Sequence, residues 1–319
     1  MTAARTRWGI VGAGDMARRP IADISLAGNI DVVGICSRSR TTAEELAREH
    51  GIPHVFDSLD AMLQAGEVDA IYVATPHGNH YEIAAAALAA HKHVLCEKTM
   101  TLTADQSRLL YAAARQRGLF LMEAMWMKFN PSIRRLRREL ADGVIGEVKG
   151  VRANFSLNFP RTPASRFWRA DLGGGALLDL GVYPVTFAHM ILGHPDRLSA
   201  SGAILSDGVD LYDEIHFEYD DGRHASVGTS MVEFELPVAT VTGTAGYISV
   251  VMPFFASGRF SIHRPPFHEP LVVETAIEGA GYVPMFREAS SAIAEGRTSH
   301  EWNPMVETIE ILDLLDEVR

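Results

Sequence analysis

Five short apolar runs, each followed by a helical stretch, constrain this chain more than any other feature. They fall at 8–11, 32–36, 70–74, 94–96 and 119–122. Each is nearly unbroken, as expected of a parallel strand covered on both faces. The stretches between them carry helix start signals. Thr41 with Glu44 predicts a capping box ahead of ELAREH. Ser58 can cap LDAMLQA, and Thr103 with Gln106 caps a long helix that should end near Gly118. Pro20 falls inside the first helix and predicts a kink. Repeated βα units of this kind predict a doubly wound parallel sheet, a Rossmann-type α/β domain, over residues 1–125.

The pattern changes after Trp126. A basic helix, PSIRRLRREL, starts at Pro131, a residue suited to a first helical turn. Alternating strands follow: EVKGVRANFSL, RLSASGAIL, DEIHFEYDDGRHASVGTSMVEF and PVATVTGTAGYISVV. Asp221-Gly222 between two of them is a hairpin signal. GGALLDLGVYPVTFAHMIL is the one substantial helix among these strands, and helical stretches from about Pro284 and Pro304 close the chain. Residues 126–319 thus read as an α+β domain for substrate binding and oligomerisation, built on a large, mostly antiparallel open sheet.

Composition narrows the function. A chain of 319 residues, 47% hydrophobic and 22% charged, can bury a full core. A net charge of −11 argues against a broad nucleic-acid surface. The cysteines Cys36 and Cys96 sit in apolar runs, with no metal or disulfide spacing, which suits a reducing compartment. No signal peptide and no membrane-spanning run of about 18 apolar residues is read. The chain reads as cytoplasmic, without membrane or nucleic-acid partners and without a metal.

The chemistry concentrates at strand ends. Gly12-x-Gly14-x-x-Ala17 follows the first strand directly and opens a helix with Asp15 and Met16. Glycines there permit a tight turn and close approach of a pyrophosphate, while the helix N-terminus supplies free N–H groups. The second strand ends in Ser37 and Arg38, where an NAD site usually has an acidic residue. A hydroxyl and a guanidinium suit a 2′-phosphate, so NADP is preferred to NAD. The fourth run ends in Thr75, His77 and His80, near the cofactor face of such a sheet. His80 reads equally well as a packing residue. The fifth run delivers Glu97 and Lys98 to the same rim. An ammonium beside an oxidised nicotinamide ring feels a like charge, which favours proton exchange.

In this order and spacing, GAGDMA, ATPHGNH, CEKT and GGGALLDLGVYP resemble the Gfo/Idh/MocA oxidoreductases along the whole chain. EAMWMKFNP, with Tyr183 where the family often has histidine, is most similar to the dimeric dihydrodiol dehydrogenase and D-xylose 1-dehydrogenase group. The resemblance implies a lysine of an EKP motif at Lys98, with Thr99 replacing the proline. Because proline fixes φ, the loop holding Lys98 is expected to be looser here. The resemblance also implies Tyr183 as acid–base residue and Asp179, four residues earlier on one helical face, as its neighbour in catalysis. Arg166 and Trp168 are implied to face cofactor or substrate. Trp126 and Phe129 are pocket walls or core, and Arg152 is more simply a strand-surface charge.

The expected activity is NADP-dependent hydride transfer at a hydroxyl-bearing carbon of a sugar, polyol or cyclic diol, in a cleft between the domains. Lys98 and Tyr183 would move the hydroxyl proton. The alternatives are a reductase of keto or anhydro sugars and a non-catalytic NADP sensor. The expected assembly is a homodimer or a dimer of dimers.

Overall fold

The computed structural model describes residues 5–162, 165–266 and 269–319, which divide into two compact units. The first takes the described chain up to Phe129 and again Glu278–Ile309; the second takes Asn130–Ile277 and Glu310–Arg319.

The first unit contains the βα repeat. In chain order it comprises β1 (Thr6–Val11), α1 (Asp15–Leu26), β2 (Ile30–Cys36), α2 (Arg40–His50), β3 (His54–Phe56), α3 (Leu59–Gln64) and β4 (Ala70–Val73). There follow α4 (His80–Ala89), β5 (His93–Cys96), α5 (Ala104–Arg117) and β6 (Leu121–Glu123). The strands form one sheet in the order β3-β2-β1-β4-β5-β6. Every pairing in it is parallel. The order reverses between β1 and β4, the place where such sheets bind ligands beyond their carboxyl ends.

Local chemistry explains most helix boundaries. Ser58 caps α3 by accepting the Ala61 N–H at 3.1 Å. Thr103 caps α5, which ends at Gly118 in left-handed backbone, φ 65°. α1 is continuous through Pro20. One boundary differs from expectation: Ser39, not Thr41, caps α2. Ser39 keeps extended backbone, φ −94° and ψ 102°, and accepts the Thr42 N–H. The helix therefore starts at Arg40, and Glu44 pairs with Arg40 at 2.7 Å instead of closing a capping box.

The second unit holds α6 (Pro131–Ala141), β7 (Val148–Ser156), a π-helical turn at Leu177–Gly181 and α7 (Val182–Leu192). Its remaining strands are β8 (Arg197–Ile204), β9 (Asp210–Glu218), β10 (His224–Ser230), β11 (Ala239–Gly243), β12 (Gly246–Val250), β13 (Arg259–His263) and β14 (Leu271–Glu274). The sheet order is β14-β13-β12-β11-β7-β10-β9-β8. Its pairings are antiparallel except β7 with β10, which is parallel. The Asp221-Gly222 hairpin joins β9 to β10, with Gly222 at φ 82°.

Two helices close the chain, α8 (Val283–Ala294) and α9 (Met305–Val318). α8 returns to the first unit, where Ser290 accepts the indole N–H of Trp8 at 2.9 Å. The stretch Ala170–Leu192 is long and apolar enough to cross a membrane, contrary to the sequence reading, but 89% of its apolar window is buried inside the protein. It is apolar because it is core.

Candidate active site

The chemistry-bearing groups form two sets, one in each unit. In the first unit they stand beyond the carboxyl ends of β2, β1, β4 and β5, which are adjacent in the sheet. Gly12 has φ +115°, and a Cβ there would collide with the Ala74 carbonyl at the end of β4. Only glycine lets the two chain segments pass so closely. The Gly12 N–H donates to the Cys36 carbonyl at 2.8 Å, which ties this loop to the end of β2. Gly14 caps α1 with no side-chain hydrogen bond, and the space around its Cα is open. The N-cap position of α1 thus offers no capping side chain to the N–H groups of the first turn, an arrangement suited to a phosphate. Met16 is half-buried in that turn. The side chain of Asp15 lies outside the described residues.

Ser37 is half-buried and Arg38 exposed, both directly after β2. The two arginines there differ. Arg40 is bonded to Glu44 and to Asp57, whereas Arg38 has no ion-pair partner among the described residues. Beyond β4, the Thr75 hydroxyl is buried with no hydrogen-bond partner among the described residues. His77 and His80 are both buried, with ring centroids 5.5 Å apart. The two ring nitrogens of His80 face the carbonyls of Thr75 at 2.8 Å and Thr99 at 2.9 Å. His80 thus straps the end of β4 to the loop that holds Lys98.

That loop, expected to be loose without proline, is tied at several points. Glu97 N–H donates to Val73 O at 2.9 Å, and Met100 N–H donates to Glu123 Oε1 at 3.0 Å. The Thr101 hydroxyl bonds Thr103 O and Ser107 Oγ, each at 2.7 Å. The Lys98–Thr99 peptide is cis. Lys98 itself is 6% exposed and Glu97 2%. Glu97 Oε1 accepts the Tyr72 hydroxyl at 2.5 Å, and Oε2 accepts the Lys98 backbone N–H at 3.3 Å. Burial pushes the Glu97 carboxyl up to about 7, against the pull of Tyr72 and Lys98.

In the second unit Arg166 and Asp179, candidates on separate grounds, form a bidentate pair at 2.9 and 3.0 Å. Asp179 is buried and lies in the π-helical turn. Tyr183 follows in the first turn of α7, packed by Phe155 at 5.8 Å and Phe255 at 4.7 Å between ring centroids. The Trp168 indole N–H is buried with no hydrogen-bond partner among the described residues, and Arg161 lies over its ring at 5.1 Å. Arg152 is exposed on β7. In the first unit, Trp126 stacks on Tyr282 at 4.5 Å and Phe129 packs on His300 at 5.2 Å; both are buried. Among the described residues, no group of three or more His, Cys, Asp or Glu could hold a metal ion.

Residues 6–125 match the oxidoreductase family with an NAD-binding Rossmann fold. Residues 133–249 match the GFO/IDH/MocA C-terminal domain. The chain belongs to the Gfo/Idh/MocA oxidoreductases. It is 32% identical to the trans-1,2-dihydrobenzene-1,2-diol dehydrogenase of Macaca fuscata fuscata over 321 aligned residues, 98% of this chain and 96% of the relative. The Mus musculus protein of the same name is equally similar over 322 residues, with the same coverage. Among solved structures, KijD10, a 3-ketoreductase from Actinomadura kijaniata in complex with NADP and TDP-benzene, has a TM-score of 0.88 at 29% identity. The match covers 99% of this chain and 97% of that one. A levoglucosan dehydrogenase in complex with NADH and levoglucosan shares the fold, with a TM-score of 0.88 at 18% identity, over 98% of this chain and 96% of that one.

Several residues of these sets escape a sequence reading. Tyr72 lies in the middle of an apolar strand, and only its bond to Glu97 distinguishes it. Asp23, inside α1, accepts the backbone N–H groups of Ala280 and Tyr282. Asp210 on β9, which accepts the Leu177 N–H at the start of the turn that carries Asp179, left no signal, but Asp213 on the same strand did. Asp213 falls on the inward, apolar phase of the strand with Ile215 and Phe217.

Proposed function

We propose that this chain is an NADP-dependent dehydrogenase acting on a hydroxyl-bearing carbon of a sugar, polyol or cyclic diol. The observation that carries the reading is the rim of the parallel sheet. It holds an uncapped helix start, a glycine that a Cβ would block, and a buried lysine on a hydrogen-bonded loop. The cofactor fits that rim: Gly12, Gly14 and the first turn of α1, with Asp15 and Met16, would hold the pyrophosphate. Ser37 and Arg38 would hold the 2′-phosphate, since among the described residues Arg38 has no ion-pair partner while Arg40 is engaged by Glu44 and Asp57. Thr75 offers an unsatisfied hydroxyl. His77 and Glu97 border the same strand ends, and His80 supports them from behind. Arg166 and Trp168, in the second unit, are further cofactor candidates that the family resemblance implies.

NADP, when bound, supplies the hydride acceptor. The remaining work falls to this chain. Tyr183 takes the hydroxyl proton as the carbon gives up its hydride, and Lys98 stabilises the phenolate by its charge. Asp179, fixed by Arg166, orients the substrate hydroxyl. A second reading, ketone reduction, is favoured by the similarity to a 3-ketoreductase at 29% identity; it uses the same groups with Tyr183 giving the proton. We also infer a homodimer through the open sheet of the second unit.

Lys98→Met and Tyr183→Phe should each lower kcat by roughly 100-fold or more. NADP affinity, read by quenching of protein fluorescence, should change by only a few fold. Near-normal turnover in either variant would remove that residue from the mechanism.

A further inference from the structure

The loop that carries Lys98 is gripped two residues further on, at Met100, which is fully buried. The Met100 N–H donates to Glu123 Oε1 at 3.0 Å, and its carbonyl accepts the Cys96 thiol at 3.6 Å. The Thr99 carbonyl, the other polar end of the Thr99–Met100 peptide, lies 2.9 Å from Nδ1 of His80. One peptide is therefore held on both sides by buried side chains from different elements, His80 at the start of α4 and Glu123 at the end of β6. Thr99 has no ring to fix its φ, so the restraint on this stretch comes from its hydrogen bonds.

Glu123 is itself fixed from behind. It stands opposite Cys96 in the β5–β6 register, and the Ala124 N–H donates to the Cys96 carbonyl at 2.7 Å. Glu123 Oε2 accepts the Thr308 hydroxyl at 3.4 Å, and the Glu123 carbonyl accepts the side-chain amide of Asn303 at 2.8 Å. Both donors are buried at or just before the start of α9. A carboxyl only 2% exposed at the end of an apolar strand costs free energy that an apolar side chain would not. Its bonds must justify it. Burial pushes this carboxyl above its ordinary value, opposed first by the Met100 N–H.

We propose that Glu123 is a positioning residue for the proton transfer, the second jaw, opposite His80, of a brace that fixes the loop carrying Lys98. The inference rests on Lys98 being the acid–base partner assigned above. The brace works through the acceptor oxygen: without it the Met100 N–H is left buried and unbonded, and the loop moves to satisfy it.

The test is a double-mutant cycle on the full chain. It is read by amide hydrogen exchange at Met100 and by turnover with the substrate of highest kcat among aldoses, inositols and trans-dihydrodiols. Glu123→Ala should speed Met100 exchange by about tenfold or more. It should lower kcat by roughly tenfold or more, with the KM for NADP within about twofold. In a Lys98→Met background the same change should cost less than about twofold further, because a residue that acts through Lys98 has nothing left to position. Glu123→Gln keeps an oxygen for the Met100 N–H and should return kcat to within about threefold of wild type. Should Glu123→Ala fail to fold, Glu123→Asp, which withdraws the oxygens by one methylene, takes its place in the cycle. Unchanged Met100 exchange would overturn the brace. So would an equal loss of kcat in both backgrounds, the result for a residue that serves stability alone. If Lys98→Met by itself keeps near-normal turnover, the assignment of Lys98 falls, and the catalytic role of the brace falls with it.

Discussion

At the scale of single residues, the pair at the end of β5 illustrates what burial does to charge. The CEKT pattern places Glu97 and Lys98 at a strand end, and strand ends usually meet solvent. Here both side chains are buried, and Glu97 is held by a tyrosine hydroxyl from the next strand. The pattern could not reveal this, because Tyr72 belongs to an apolar run and its hydroxyl finds Glu97 only once β4 and β5 are paired. The consequence is measurable. Glu97 rises to about 7 from an ordinary 4.5. The folded state therefore holds a proton that the unfolded chain releases, and this contribution to stability is lost as pH rises from about 4.5 through about 7. Glu97→Gln should remove a slope of order 3 kcal/mol over that window. Urea unfolding of both proteins at pH 5 and pH 8 checks it. Parallel curves at both pH values would mean that Glu97 ionises normally.

At the scale of elements, periodicity and punctuation explain most of what formed. The five apolar runs became parallel strands, and Asp221-Gly222 became a hairpin. Ser58, Thr103 and Gly118 bound their helices as their chemistry requires. The departures have local causes. Ser39 displaced Thr41 as a cap because the chain leaves β2 in extended backbone at that residue. The helix GGALLDLGVYP opens with a π turn whose first peptide is hydrogen-bonded to side chains of β9 and β10, Asp210 and Thr229. Strands β13 and β14 went unread because they are five and four residues long and flank the Pro-rich stretch RPPFHEP. The sheet of the second unit also exposes large apolar side chains in and between its strands, Phe234 at 77% and Leu236 at 63% among them. Surfaces of this kind mark interaction sites. Sedimentation equilibrium should give a dimer, and Phe234→Ser with Leu236→Ser should weaken it at least tenfold. A wild-type monomer at all concentrations would contradict the proposed assembly.

At the scale of the whole molecule, the fold class followed from the alternation of βα units and the later switch to alternating strands. The tie between Asp23 and the Gly279–Tyr282 segment did not, since it joins residues 257 positions apart and has no local signature. The candidate site was legible where chemistry sits at strand ends, as with Gly12, Gly14, Arg38, Thr75, Glu97 and Lys98. It was hidden where a side chain acts through another, as with His80 on the Lys98 loop and Asp210 beneath the turn of Asp179. The central claim is NADP-dependent hydride transfer at a hydroxyl-bearing carbon. Nicotinamide absorbance tests it most directly, with the protein incubated with NADP⁺ or NAD⁺ and a panel of aldoses, inositols and trans-dihydrodiols, and with NADPH and the matching ketones. Reduction of NADP⁺ by one of these substrate classes, with NAD⁺ much poorer, is the predicted result. Turnover with NAD⁺ alone, or no turnover in either direction across the panel, would contradict it.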